Sequence, residues 1–427
     1  MSEGLVFLCV IVLVLINVPI AIALGLAAVI AIVSVQGLVS LPNVAIVMYQ
    51  GATNFPLIAI PLFILAGAIM NTSGISRRLI DFCAAVLGFM RGGLAQVNVV
   101  TSMFFAEISG SAVADVAATG PILIPAMKKQ GYSGPFTAAV TSSTASLAII
   151  IPPSIPMILY AVMAGTSVVQ MFVAGIVPGM LAGLLMMALC YWYAVRHNHP
   201  RGEAFELRKV WASFRDTFWA LTLPLIILGG IFGGIVTATE GAALAVVAAL
   251  FVGLVIYREL DWKHLRDAIV DGAIQTGVVM LLVASSALLG VYLTEVQVPQ
   301  KLAQALTDVT STPWVVLALL NVFFLFIGMF LHSAAAIILV VPIVIPLVQA
   351  VGIDPVHFGI MVTLNLAIGQ QTPPVASVLM ITCSIAKENV WDVTRANLPF
   401  IGVLVATLLL VTYVPTTTLF LVDLFYR

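Results

Sequence analysis

Charge is scarce in this sequence. Only 8% of its 427 residues are Asp, Glu, Lys or Arg, while 62% are hydrophobic. A soluble globular chain carries about 25% charged residues, so that class is excluded. The 17 basic and 18 acidic residues give a formal net charge of −1. The basic excess of a nucleic-acid-binding surface is missing, and no nucleic-acid partner is expected. Cysteine is equally sparse: Cys9, Cys83, Cys190 and Cys383 lie in separate apolar segments. That spacing suggests neither a disulfide frame nor a zinc site and leaves packing as their role. GxxxxGK[ST], HExxH and GxSxG patterns are absent. The chain does not read as an ATPase or any other enzyme, so work done by it must draw on an ion gradient or a partner. The opening MSEGLVFLCVIVLVLI has no Lys or Arg before its apolar run, and reads as an uncleaved first helix rather than a signal peptide.

What the chain does have is apolar runs of membrane length. They fall at about 4–33, 44–72, 93–128, 135–163, 168–195, 217–237, 239–257, 266–293, 313–350, 355–385 and 396–422. Segments of about 20 apolar residues cross a bilayer as helices, so the expected fold is an all-α polytopic membrane protein. The runs at 93–128 and 313–350 are too long for one crossing. Each has small or polar residues at its middle, Ser109-Gly110-Ser111 and Leu331-His332-Ser333. They are read as re-entrant hairpins that turn at mid-depth. Non-helical backbone there is tolerated only where protein or a water-filled cavity covers it.

Lys and Arg set the orientation. The loop around 197–210 is flanked by Arg196 and Arg215 and contains Arg208 and Lys209, and the loop at 258–266 is basic as well. The positive-inside rule places both in the cytoplasm. Counting from them, the first hairpin opens to the cytoplasm through Lys128-Lys129. The second opens to the outside through Gln349 to Pro355, which carries no Lys or Arg. Lys301, on the outside in this count, is the exception.

The two hairpins are copies. GPILIPAMKKQG from Gly120 matches VPIVIPLVQAVG from Val341, pairing Pro121 with Pro342, Pro125 with Pro346 and Gly131 with Gly352. Each pair is 221 residues apart (342−121, 346−125, 352−131). The same offset pairs Pro152-Pro153 in AIIIPPSIPM with Pro373-Pro374 in IGQQTPPVAS. Amphipathic stretches at about 76–90 and 299–310 precede the hairpins and are expected on the membrane surface. Each half therefore reads as two spans, a surface helix, a hairpin, a broken span and a closing span. The extra span at 217–237 inverts the second half, giving the inverted repeat common in secondary transporters.

Proline removes a backbone donor and clashes with the preceding turn, so both double-proline sites must break their helices. Free carbonyls at such a break, with Ser or Thr hydroxyls, suit a hard cation such as Na⁺, and free N–H groups suit a carboxylate. Tip Ser109-Gly110-Ser111 is expected to face Ile151-Pro152-Pro153-Ser154. Tip His332-Ser333 is expected to face Gly369-Gln370-Gln371-Thr372-Pro373. Glu107 and Asp115 flank the first tip, and Asp115 shares a helix face with Ser111. Carboxylates at membrane depth default to a functional reading, although facing a cytoplasmic vestibule or pairing with hairpin backbone is an equal alternative. Asn54-Phe55-Pro56 marks a further local break. Glu240 reads as a helix-start residue with Thr237 or Thr239 as cap.

SGSAVADVAATGPILIP (109–125), IIPPSIP (150–156), GIDP (352–355) and IGQQTPPV (368–375), with MFVAGIVPGM (171–180) and TATEGAA (237–243), together resemble the large membrane subunit of TRAP (tripartite ATP-independent periplasmic) transporters. The resemblance runs over essentially the whole chain. It implies an elevator-type transporter of the bacterial inner membrane that imports an organic anion on a Na⁺ gradient. C4-dicarboxylates, sialic acids and sugar acids all remain open as substrates. It also implies two partners, a periplasmic substrate-binding protein and a small four-helix membrane subunit. The first span begins at once, so the small subunit is expected as a separate polypeptide. A stand-alone Na⁺/dicarboxylate symporter of the same design is the alternative.

Carried to this sequence, the resemblance implies one Na⁺ site at Ser109, Gly110, Ser111, Ile151, Pro152 and Pro153. A second would use Leu331, His332, Ser333, Gly369, Gln370, Thr372 and Pro373. The substrate would lie between the tips, near Ser111, Asp115, Ser154, Ser333, Gln371 and Thr372. His332 departs from the family pattern, in which an acidic residue is expected. The expected units are 1–92 (first scaffold spans and arm helix), 93–165 (first transport half), 166–312 (closing span, loop, linking span, second scaffold and arm), 313–390 (second transport half) and 391–427 (closing span).

Overall fold

A computed structural model describes residues 3–16, 18–199, 204–301, 304 and 312–426. Among these the regular structure is helical, and eight helices are long and apolar enough to cross a membrane. The first hairpin is built from Gly93–Ser109 and Ala112–Lys129. Its turn is made by Gly110 at φ +58° and by Ser111 in an extended conformation. A left-handed residue followed by an extended one ends one helix and starts the next within two positions, and glycine takes the first conformation without strain. The second hairpin is built from Pro313–Phe330 and Ser333–Ala350, joined by extended Leu331 and His332. The prolines that revealed the repeat, Pro121/Pro125 and Pro342/Pro346, lie inside the returning arms.

Both double-proline sites interrupt their spans. The first runs Gly134–Ala145, a 3-10 turn Ser146–Ile149, a non-helical passage, then Ile155–Ala164. The second runs Pro355–Gly369, a longer passage, then Ser377–Ala386. Both Pro–Pro bonds are cis. All residues from 136 to 161 and from 356 to 371 are buried. The first break is thus enclosed by protein, as a lipid setting requires, whereas the second is buried only as far as Gln371 and exposes Pro374 and Val375.

The halves interlock. Ser377–Ala386 packs on both arms flanking the first hairpin's exit, Ala112–Lys129 and Gly134–Ala145, while Ser333–Ala350 packs on Ile155–Ala164. Around them, Trp262–Glu295 packs on Ile20–Gln36, Leu41–Ala52 and Ala59–Thr72. Ends that the charge rule places on one face meet there: Lys128 Nζ lies 2.6 Å from Glu388 Oε1, and Arg78 lies 2.6 Å from Glu259. At the opposite face Tyr160 OH donates to Pro355 O at 2.6 Å.

Three apolar runs divide where single spans were expected. The run 4–33 becomes Glu3–Leu15 and Ile20–Gln36. The run 44–72 becomes Leu41–Ala52, a 3-10 turn Phe55–Ile58 and Ala59–Thr72, with the break at Asn54 as expected. The run 396–422 becomes Val390–Tyr413 and Thr416–Tyr426. Pro19, Pro56 and Pro415 stand at these junctions; each lacks an N–H and disfavours helix in the residue before it. The first arm helix is Ile75–Leu87; the expected second arm lies largely outside the described residues. Glu240 completes a capping box with Thr237, whose N–H donates to Glu240 Oε2 at 2.8 Å, the helix-start role read from the sequence.

Candidate functional site

One cavity of about 680 Å³ collects the tips and the breaks. The first tip contributes Gly110, Ser111 and Ala112–Ala114, and the second contributes His332–Ala335. Ile149, Ile155 and Pro156 come from the first break and Gln370 from the second. The facing wall belongs to the surrounding spans: Pro19 to Ala21 at the first divided run, Ile64, and one face of Trp262–Glu295 that includes Gln275.

Three helices begin at this cavity, Ala112–Lys129, Ile155–Ala164 and Ser333–Ala350. The first N–H groups of a helix have no intrahelical partner, and the helix dipole places about half a positive charge there. His332, the N-cap of Ser333–Ala350, gives no side-chain bond to the first turn. Convergent helix starts in a partly apolar enclosure form an anion site. Gln370 adds to it. Its side chain is 1% exposed, and neither amide atom has a hydrogen-bond partner. An unsatisfied buried amide costs about 1–3 kcal/mol, a deficit that a polar ligand in the cavity would remove once the side chain turns toward it.

Tip and break touch through backbone. Ile155 N donates to Gly110 O at 3.3 Å, and a Cβ on Gly110 would lie 2.7 Å from Pro153 O. In the second half Val375 N donates to Met329 O at 3.2 Å, and a Cβ on Gly369 would lie 2.4 Å from the Gly328 carbonyl carbon. The first tip thus touches its own break, while in the second half the contact is made by Gly328 and Met329 in the last turn of the arm rather than by His332-Ser333.

The proposed ligand residues divide on inspection. Gly110, Ser111, His332, Ser333 and Gln370 line the cavity, and His332 is exposed within it. Ser109, Ile151, Pro152, Pro153, Ser154, Leu331, Gly369, Gln371, Thr372 and Pro373 are not in its wall. Ser154 Oγ donates to Ile149 O at 2.8 Å across the break, and Thr372 Oγ1 donates back to Ile368 O at 2.9 Å. Gln371 is locked between the halves: its Nε2 donates to Ser146 Oγ at 2.7 Å, and its Oε1 accepts from Ser143 Oγ at 2.7 Å and Asn397 Nδ2 at 3.0 Å. Asp115 lies behind the tip rather than between the tips. It is fully buried, one oxygen accepts from Ser109 Oγ, and the other has no partner. Glu107, only partly buried, makes no hydrogen bond or ion pair among the described residues.

Further polar residues support each hairpin from its broken span. Asn98 Nδ2 donates to Thr141 Oγ1 at 2.8 Å, and Ser102 and Thr144 hydroxyls meet at 2.9 Å. In the second half Asn365 Nδ2 donates to Asn321 Oδ1 at 2.7 Å. Thr144 and Asn365 are again 221 apart (365−144), a signal available in the sequence through the repeat offset. Gln275 had no such signal, because only tertiary packing turns it toward the tips.

Comparison with known proteins agrees with this architecture. The family described as "Tripartite ATP-independent periplasmic transporter, DctM component" matches residues 7–417. The chain is 40% identical to the C4-dicarboxylate TRAP transporter large permease protein DctM of Pseudomonas aeruginosa, over 84% of each chain. It is 38% identical to the 2,3-diketo-L-gulonate TRAP transporter large permease protein YiaN of Escherichia coli, covering 83% of this chain and 84% of that one. It is 35% identical to the sialic acid TRAP transporter large permease protein SiaM of Vibrio cholerae, over 86% of each. The YdaH transporter of Alcanivorax borkumensis shares the fold, with a TM-score of 0.62 at 16% identity over 88% of this chain and 89% of that one.

Proposed function

The chain belongs to the DctM family, the large inner-membrane permease component of TRAP transporters, and from that premise we propose that it imports an organic anion on a sodium gradient. The observation that carries the reading is the single cavity in which both tips and both breaks meet three helix starts. Those helix starts and the Gln370 amide bind the substrate carboxylate, and His332 donates a further hydrogen bond. C4-dicarboxylate, diketogulonate and sialic acid are the substrates in the names of the relatives, so an organic acid is the class expected here.

Sodium binds behind the tips. In the first half the unpartnered oxygen of Asp115, the Ser109 hydroxyl and carbonyls of the break form a donor set of hard oxygens. Asp115 therefore serves the cation rather than the substrate. In the second half Ser333 and carbonyls of 369–373 play that part. A periplasmic binding protein delivers the anion, and a small four-helix membrane subunit braces the surrounding spans. A relative in Oleidesulfovibrio alaskensis, 40% identical over 92% of this chain, is the isethionate TRAP transporter permease protein DctMQ, of which this chain covers 62%; a fused design of that kind is consistent with a small-subunit partner.

The test is uptake in proteoliposomes containing the chain, its small subunit and its binding protein, under an inward Na⁺ gradient. Ser109→Ala and Ser333→Ala are expected to raise the half-saturating Na⁺ concentration by about tenfold, one lost charge-assisted contact, with expression unchanged. Wild-type sodium response in both variants would remove the tip assignment. Full uptake by the chain alone would favour the stand-alone symporter.

A further inference from the structure

A second cavity, of about 560 Å³, lies at the edge that the charge rule places in the cytoplasm and shares no lining residue with the cavity at the hairpin tips. It opens between the arm helix Ile75–Leu87, the linking span Leu207–Phe232 and the end of the span Ala238–Ile256. Its frame is fixed by polar contacts. Thr217 Oγ1 donates to Arg78 O at 3.0 Å, and Tyr257 OH donates to Asp216 O at 2.9 Å. Arg78 pairs with Glu259 and lies 3.9 Å over the Tyr257 ring.

That pairing leaves four charges in the lining. Arg77 and Arg215 make no ion pair or hydrogen bond among the described residues, and neither do the carboxylates of Asp81 and Asp216. Two free guanidinium groups and two free carboxylates share one cavity. A guanidinium binds phosphate oxygens in a bidentate fork. A carboxylate accepts hydrogen bonds from a primary ammonium. The ligand that meets both demands carries a phosphodiester and a primary amine a few bonds apart. A glycerol headgroup offers hydroxyl donors but leaves the charge of the two carboxylates uncompensated, and a choline headgroup has the charge but no N–H to offer them.

The setting selects a lipid as the source. Trp211, Trp219 and Trp262 are exposed around this edge, and tryptophan concentrates at headgroup depth. Phe218, Phe251 and Val255 are exposed on the same elements and would offer apolar surface to acyl chains. We propose that this cavity binds the phosphoethanolamine headgroup of a membrane lipid, with Arg77 and Arg215 on the phosphate and Asp81 and Asp216 on the ammonium. The arm helix leads directly into the first hairpin, so the lipid fastens that arm to the linking span. This inference stands apart from the transport reading and uses none of its residues.

The experiment is lipid retention by the purified full chain. It is equilibrated with vesicles of equal parts phosphatidylethanolamine, phosphatidylglycerol and phosphatidylcholine, then examined by native mass spectrometry. Phosphatidylethanolamine is expected to be retained preferentially. Arg77→Ala with Arg215→Ala is expected to cut that retention about tenfold or more, and Asp81→Asn with Asp216→Asn to shift retention toward phosphatidylglycerol. Lys129→Ala, on the same membrane face, is expected to change nothing. Should the double alanine variant misfold, Arg77→Lys with Arg215→Lys keeps the charge and loses the fork; about a threefold loss is expected. Equal retention of the three lipids, or unchanged retention in the arginine variants, would overturn the proposal. A thermal-shift arm separates the sources. Glycerophosphoethanolamine is expected to stabilise the wild-type chain, and an equal shift with inorganic phosphate alone would overturn the lipid assignment.

Discussion

Adjacent glutamines in the second break have opposite surroundings. Gln371 bonds Ser143, Ser146 and Asn397, whereas both amide atoms of Gln370 lack protein partners at the cavity wall. The difference separates stability from transport. Gln371→Ala removes three buried hydrogen bonds and leaves Asn397 Nδ2 without a partner, and is expected to cost about 2–3 kcal/mol, read as a lower melting temperature of the purified chain. Gln370→Ala is expected to leave the melting temperature unchanged or slightly higher and to raise the half-saturating substrate concentration. The reverse pattern would show that the cavity assignment of Gln370 is wrong. From the sequence both residues read as ligands, because polarity next to a break is visible there and the direction of a side chain is not. Asp115 shows the same limit. Its depth in the membrane follows from its place in the run, but its turn toward Ser109 and away from the cavity depends on the fold around it.

At the scale of elements, the hairpins and breaks were legible because their signals are local. Proline lacks an N–H wherever it stands, and Gly110 between two serines marks a turn by composition. The divided first run was missed for the same reason in reverse: the apolar stretches Leu5 to Ile16 and Ile20 to Val33 hide the junction made at Pro19 between them. That junction matters, since Pro19 to Ala21 wall the cavity opposite the tips. Close backbone approach is the feature that makes each tip and break one unit. Gly110→Ala puts a Cβ 2.7 Å from Pro153 O and strains φ +58°, and Gly369→Ala puts one 2.4 Å from Gly328. Each is expected to abolish uptake while the protein still inserts and purifies, at a cost of about 1–3 kcal/mol in overpacking. Wild-type uptake by either variant would mean that tip and break separate during function.

Across the whole molecule, polar bonds hold the hairpins and broken spans to one another, and mainly apolar contact separates them from the surrounding spans. Ser143 and Ser146 of the first half meet Gln371 and Asn397 of the second. The cavity wall of Trp262–Glu295, by contrast, presents Ile274, Val278, Val279 and Leu282 to the alanines of both tips, with Gln275 as its polar member. A buried hydrogen bond, from Ser286 Oγ to Ile338 O at 2.9 Å, crosses this boundary; a block bonded internally and held externally mainly by apolar contact is suited to sliding as one body, the motion an elevator mechanism requires. The inverted repeat explains why the two tips reach one place: a constant offset of 221 residues carries the same unit into the membrane from both sides. The most direct test is a cryo-EM map of the chain with its small subunit, in Na⁺ and the anion carried by its binding protein. The account predicts a carboxylate between the tips, about 3 Å from the first N–H groups of Ala112–Lys129 and Ser333–Ala350 and from the Gln370 amide. A carboxylate bound outside that cavity, or helices running unbroken through Pro152-Pro153 and Pro373-Pro374, would contradict it.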